Sequence, residues 1–360
     1  MSAETPKIPF KRYESNAIRS LITGVLSKQG MQTDTAANVA RLMVEADLLG
    51  GDGHGVFRLP RYLSRIKAGG FNLNADIRVE RGKGAMKLLD GDNAMGHLVM
   101  ERAAQEAIAM AKEFGTGWVG AHHSNHAGAA GVYAKMALEH DLIGLYLAVG
   151  NANHMAPWGG IELLLSTNPI AVAIPARRNL PILLDMATTV AAYGKVKMAA
   201  QRGEQMPDGW MIDAEGKSLT DPTNVEGASL LPIGGPKGYG LSLVFGILAG
   251  TMNGAAMGRD VVDFNADDES ITNTGQAIMM IDPAVFGDIE EFCERVDTVI
   301  DEMRSSALRP GFDSIRLPGE RALSTHAERS DEGIPIPPQL VALLDQIADD
   351  HKLDRLGQVT

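Results

Sequence analysis

The chain has one cysteine, Cys293, among 360 residues. That excludes an intramolecular disulfide framework, and together with 18 methionines, which oxidation would damage, it points to a reducing cytoplasm. No stretch of about 18 consecutive apolar residues occurs, so no membrane span is expected. The first residues, Met1 to Arg12, carry prolines and charges rather than a basic segment leading into an apolar run, so no secretory leader is expected. Aromatic residues make up only 5% against 40 glycines, which suggests many tight turns and close backbone approaches rather than stacking platforms. Positive charge is also in deficit. Lys and Arg number 33 against 45 Asp and Glu, a formal net charge of -12, which disfavours nucleic acid or an anionic membrane as the main partner. Repeats at a fixed period, low-complexity tracts, a P-loop, a G-x-S-x-G elbow and H-E-x-x-H are all absent. What remains is an ordinary folded composition, 45% hydrophobic and 22% charged with 40 glycines. The length allows about two domains.

Apolar spacing of 3 and 4 predicts two helices in a hairpin over 13–50, through Ile18, Leu21, Ile22, Val25 and Leu26, with a stop at Gly30. Pro60 suits the first turn of a third helix over 59–67. Alternation and β-branched content predict strands over 77–81, 85–90, 118–122, 143–149, 170–174 and 182–186. Further helices are predicted over 97–114, 128–140, 238–253, 289–306 and 338–349, and 226–232 reads as an exposed connection. The expected class is mixed α/β (α+β). Its helical portion is discontinuous, 1–72 plus 284–360, with the ends packed together, and 73–283 form a central cofactor- and substrate-binding portion.

Three motifs bear on chemistry. Gly115, Gly117 and Gly120 satisfy G-x-G-x-x-G, with Asp141 about twenty residues on. A dinucleotide fingerprint needs a strand before it and a helix after it, and here the order is reversed. His122, His123 and His126 form H-H-x-x-H, which would suit a metal on one helical face. The Ser124, Asn125 and Gly128 context reads instead as a strand-to-helix turn, where backbone N–H groups can meet a phosphate, and no acidic residue or cysteine lies nearby in sequence. In Gly53-His54-Gly55-Val56-Phe57-Arg58-Leu59-Pro60, the glycines let a ligand approach. Arg58 offers a guanidinium fork for a carboxylate, and His54 an imidazole that exchanges protons near neutral pH. A glycine turn with a surface histidine and a helix-start arginine explains the same pattern.

The sequence resembles the malate/L-lactate dehydrogenase family of NAD(P)-dependent oxidoreductases that lack the Rossmann fold. Its members include ureidoglycolate and sulfolactate dehydrogenases and piperideine- and pyrroline-2-carboxylate reductases. The likeness runs in order through HGVFRLPRY from His54, SNHAGAAGVYA from Ser124, APWGG from Ala156, STNPIAVAIP from Ser166, LDMATT from Leu184, GGPKGYGLSL from Gly234 and PGER from Pro318. The resemblance implies that His54 donates the proton, with His126 in that role in some members. It implies that Arg58 binds the substrate carboxylate and that Thr167 lies near the substrate. It further implies that His126, Ala127, Gly128, Ala129 and Ala130, with Asp185, Met186, Ala187, Pro236, Lys237, Pro318, Gly319 and Glu320, line the nicotinamide cofactor. A homodimer is implied as well.

Two positions depart from the family pattern. Gly53 stands where many members have Ser, which in the cyclic-imine reductases works with an Asp, here only Asp185. Ala127 stands where Phe is common. The expected activity is hydride transfer between NAD or NADP and a small 2-hydroxyacid or 2-oxoacid, with no metal. The lack of an obvious basic cluster leans to NAD. The rivals are a cyclic-imine reductase on the same scaffold, a metal-dependent hydrolase or lyase using the histidines, and a non-catalytic binding protein.

Overall fold

The computed structural model describes residues 10–357, so the reading of Met1 to Arg12 lies, for residues 1–9, outside the described residues. The chain opens with β1 (Lys11–Tyr13), α1 (Ser15–Lys28), α2 (Thr33–Leu48), a 3-10 turn at Val56–Arg58 and α3 (Leu59–Ala68). Next come β2 (Arg78–Lys83), β3 (Met86–Asp90), α4 (Gly96–Phe114), β4 (Thr116–Ser124), α5 (Ala130–Lys135) and β5 (Ile143–Ala148). These are followed by β6 (Ile170–Ile174), β7 (Ile182–Met186), α6 (Tyr193–Arg202), β8 (Met211–Ile212), β9 (Ser218–Leu219), β10 (Ser229–Leu230) and α7 (Pro236–Ala249). The last elements are β11 (Thr274–Ile281), α8 (Ile289–Ser305), α9 (Glu320–Glu332), β12 (Ile334–Ile336) and α10 (Pro338–Asp350).

Two compact units result, one of Met1–Leu63 with Arg321–Thr360 and one of Ser64–Glu320. In the first, α1 and α2 form the expected hairpin. Ile18, Leu21, Ile22, Val25 and Leu26 are buried on one face, each worth roughly 1.5 to 3 kcal/mol against exposure. Gly30 takes a φ of +100° where the chain leaves α1. The two ends of the chain meet there, β1 pairing antiparallel with β12.

The second unit is built on a seven-stranded sheet of order β2-β3-β4-β11-β5-β6-β7. Only the β3–β4 pair is parallel, joined through α4. A Cβ at Gly117 would strike Ala107 of α4, while one at Gly120 would strike Asn253, just beyond α7. Positions an odd number apart on a strand face opposite ways, so α4 and the end of α7 cover opposite faces of β4. These glycines, with Gly115 capping α4 at φ +81°, serve close packing and are no dinucleotide fingerprint.

The centre of the sheet, β11, was not among the expected strands. Buried along almost its whole length, it has no need to alternate and reads Thr-Gly-Gln-Ala-Ile-Met-Met-Ile. The stretch 226–232, expected as an exposed connection, contains β10. That strand is buried and pairs with β8 over a small core of Val196, Met206, Met211, Leu219 and Leu230. Helix α8 belongs to the second unit rather than with the terminal helices. Its Asp297 carboxylate accepts the backbone N–H groups of Arg177, Arg178 and Asn179 at 3.2, 2.9 and 2.8 Å.

Candidate active site

In the first unit the candidate residues sit on the loop between α2 and α3. Asp47, in the last turn of α2, is buried and its Oδ2 accepts the Val56 N–H at 2.8 Å. The same carboxylate lies against Gly55 so closely that any Cβ there would collide with it. That explains the glycine after His54. Burial pushes the Asp47 carboxyl up to about 8, with Asp52 adding to the rise and the Val56 bond and Arg329 opposing it. Arg329 of α9 donates to the Asp47 carbonyl at 2.5 Å and pairs with Asp52. The loop is therefore held at both ends.

Arg58 Nε donates to the Gly53 carbonyl at 2.8 Å, so one loop orients both the guanidinium plane and His54 between them. His54 is solvent-accessible as a residue, yet surrounding protein and the Arg58 charge both disfavour its cation and lower its pKa to about 4.

In the second unit, β4 ends at Ser124 and the chain turns through Asn125, which is fully buried. Asn125 Nδ2 donates to the carbonyl of Ala94 and to Asn93 Oδ1, both at 2.9 Å, and its Oδ1 accepts from Thr272. Gln276 of β11 binds the Asn125 carbonyl at 3.0 Å and accepts from Ser124 Oγ at 2.6 Å. This saturated network fixes His126. The His126 ring is buried and stacked on Phe264 at 5.4 Å, and its Nδ1 accepts the Gly128 N–H at 3.3 Å, which assigns the proton to Nε2. Gly128 turns with φ +74°, and the Ala127 carbonyl is held by the buried Tyr133 hydroxyl at 2.5 Å. The segment is a strand-to-helix turn, as its context indicated. Its Gly131 N–H, however, is taken by Asp185 Oδ2 at 2.8 Å rather than left for a phosphate.

Asp185, Met186 and Ala187 close β7 beside this turn. Crowding pushes the Asp185 carboxyl up despite that bond and despite an accessible edge. Thr167 joins them, since its carbonyl accepts both the N–H and the hydroxyl of Thr188 at 2.9 Å. The Thr188 carbonyl in turn receives the Ile233 N–H at 3.0 Å, leading into Gly234 and Gly235, at φ +58° and +64°, and into Pro236 and Lys237 at the start of α7. Pro318 accepts the Leu183 N–H at 3.0 Å. A Cβ on Gly319, at φ +94°, would lie 2.7 Å from Leu183. Glu320 is occupied by Arg304 at 2.5 Å and by the Leu317 N–H at 3.1 Å. The Arg304 bond holds its carboxyl below the usual range, so its visible work is to fix the turn.

The model of the malate/L-lactate dehydrogenase family matches residues 13–345. The chain belongs to that family. It is 40% identical over 347 residues to a malate dehydrogenase of Pyrococcus horikoshii, covering 94% of this chain and 95% of that one. It is 34% identical to an NAD(+) ureidoglycolate dehydrogenase of Escherichia coli O157:H7, covering 89% and 90%. The sulfolactate dehydrogenase structure from Methanocaldococcus jannaschii superposes with a TM-score of 0.89 at 35% identity, covering 95% and 98%.

For a dehydrogenase of this family the candidates fall into two groups, each gathered within its own unit. His54 and Arg58 share one loop; the segments around His126, Thr167, Asp185, Lys237 and Gly319 are linked by the bonds just described. Phe264, Gln276 and Thr272 escaped the sequence reading because they act through contacts between residues far apart in the chain, and Asp47 because nothing in its helix marks a carboxylate turned onto the following loop. The one local signal was Gly55, whose need for a bare Cα hints at a neighbour pressed against it.

Proposed function

We propose that this dehydrogenase moves a hydride between NAD(P) and a small 2-hydroxyacid or 2-oxoacid, with Arg58 clamping the substrate carboxylate and His54 exchanging the proton on the adjacent oxygen. The carrying observation is the 2.8 Å bond from Arg58 Nε to Gly53, which sets a guanidinium and an imidazole in fixed relation on one short loop. Orientation of this kind is the protein's main contribution, and the nicotinamide supplies the hydride chemistry when bound. The second unit fits a dinucleotide. The exposed Lys237 lies at the start of a 14-residue helix, where cation and backbone amides favour a pyrophosphate. His126, with its proton on Nε2, and Asp185 line that group, and Thr167 lies near the substrate. The relatives include both an NAD(+) and an NADP(+) enzyme, and the lean to NAD rests on the sequence having no obvious basic cluster for a 2′-phosphate.

Gly53 argues against the cyclic-imine reading, because the position carries no hydroxyl to work beside His54. A homodimer is part of this proposal, as is a reducing compartment for a chain with one buried cysteine. Among the described residues no helix is long and apolar enough to cross a membrane.

The test is a panel of 2-oxoacids and cyclic imines with NADH and NADPH, followed by loss of reduced-nicotinamide absorbance, with EDTA present. Turnover of a 2-oxoacid in EDTA is expected. His54→Ala should then lower kcat by about 10² to 10⁴, and His126→Ala should chiefly raise the KM for cofactor. Activity abolished by chelation and restored by zinc would replace this reading with a metal-dependent one.

A further inference from the structure

His122 and His123 are neighbours on β4, and in a regular strand their side chains would point to opposite faces. They do not. His123 has a φ of +46°, in the left-handed region that non-glycine residues seldom occupy. Its backbone is held there by bonds from its N–H to Asn273 Oδ1 and to its carbonyl from the Asn93 N–H, both 2.8 Å. The two imidazoles consequently stack with centroids 4.2 Å apart. Adjacent strands bring two carboxylates to the pair. Asp90 of β3, itself buried, lies 3.0 Å from His123 Nδ1, and Glu80 of β2 lies 2.7 Å from His122 Nε2. One donor atom from each of Asp90, His122 and His123 lies within 4.8 Å of the other two.

We propose that Asp90, His122 and His123 form a binding site for a borderline divalent cation, Zn²⁺ before others, with Glu80 as the outer carboxylate that orients His122. Two imidazoles with a carboxylate are the donor set that such ions prefer, and Mg²⁺ or Ca²⁺ would want oxygen throughout. The 3.0 Å separation of His123 Nδ1 and Asp90 Oδ1 is near the roughly 3.0 to 3.4 Å edge of a coordination polyhedron with bonds of about 2.1 Å. Arg78 and Arg81 neutralise Asp90 and Glu80 when no ion is bound. Their side chains are 55% and 81% exposed, so both can turn to water at small cost. The expectation of a metal-free chain rested on the lack of an acidic residue near His122 in sequence; sheet pairing supplies two. The cluster stands apart from His54 and Arg58 in role, binding an ion and taking no part in proton or hydride transfer.

The full-length protein, stripped with EDTA and desalted, would be titrated with ZnCl₂ against a chromophoric chelator. Co²⁺ loading would be followed by its visible ligand-field absorption. Uptake of one ion per chain is expected, weakened about tenfold or more in His123→Ala and abolished in the His122→Ala/His123→Ala pair. Asp90 is buried and bonded to Arg78 and to the Asp92 N–H, so its replacement risks the fold. The exposed His123 variant, checked by circular dichroism, keeps the test decisive. No stoichiometric uptake by the wild-type protein, or equal uptake by the double variant, would overturn the site.

Discussion

At the residue scale the proposed chemistry turns on the charge state of His54. With a pKa near 4 the imidazole is neutral at neutral pH, ready as a base for hydroxyacid oxidation and poor as an acid for oxoacid reduction. Between about pH 8 and about pH 5, kcat/KM for the 2-oxoacid should therefore rise as pH falls, while kcat/KM for the hydroxyacid stays nearly level. Arg58 contributes to the lowering, so Arg58→Met should move this limb to higher pH. Arg58→Lys should leave the limb in place but lose the two-pronged grip, about ten- to a hundredfold in kcat/KM. Identical pH profiles in all three proteins would remove the electrostatic coupling. Asp47 shows the opposite linkage in stability. Its folded pKa, about 8, lies above the ordinary aspartate value of 3.8, so the folded state holds a proton that the unfolded chain releases between those values. Its contribution is complete below about pH 4 and is lost as pH rises through about 8. Urea midpoints of the wild type should fall across that window relative to those of Asp47→Asn, whose side chain does not titrate. Parallel curves would show that Asp47 titrates normally.

At the scale of elements, local order and function separate. The turn 318–320 closes against β7 through a glycine that has both a positive φ and no room for a side chain. Gly319→Ala should therefore destabilise by about 1 to 3 kcal/mol and raise the KM for cofactor, with the strain falling on Leu183. Thermal unfolding and NADH titration read the two effects, and an unchanged melting temperature would mean that the turn yields. The same contrast marks how far the sequence could be read. β6 and β7 were expected with the bounds they have, because a half-buried strand leaves a pattern of branched apolar residues. β11 left none, since both its faces are covered and its glycine, glutamine and methionines answer to helices on either side. Among the candidate residues, the pairing of His54 and Arg58 on one loop was legible because four residues of chain suffice to hold them together. The network around Asn125, the Phe264 ring behind His126 and the two carboxylates beside His122 come from strands and loops distant in sequence, and only pairing reveals them.

For the whole molecule, α7 bears on the proposed homodimer. Nearly every position of Pro236–Ala249 is apolar or glycine, a composition expected of a helix buried on all sides. Its inner face packs against β5 and β11, whereas Leu241, Val244 and Ile247 remain 42, 52 and 44% exposed, with Met252 beyond them at 49%. A continuous stripe of this kind is rarely left to water, and a second copy can cover it symmetrically by presenting the same helix. A charge at its centre would have to be desolvated in each partner, so Val244→Glu should convert the proposed homodimer to monomer with little change in a single chain's circular dichroism. Light scattering on a sizing column measures this directly. A wild-type monomer, or a Val244→Glu protein that still runs as a dimer, would place the subunit interface, if there is one, on another face and leave the α7 stripe without a partner.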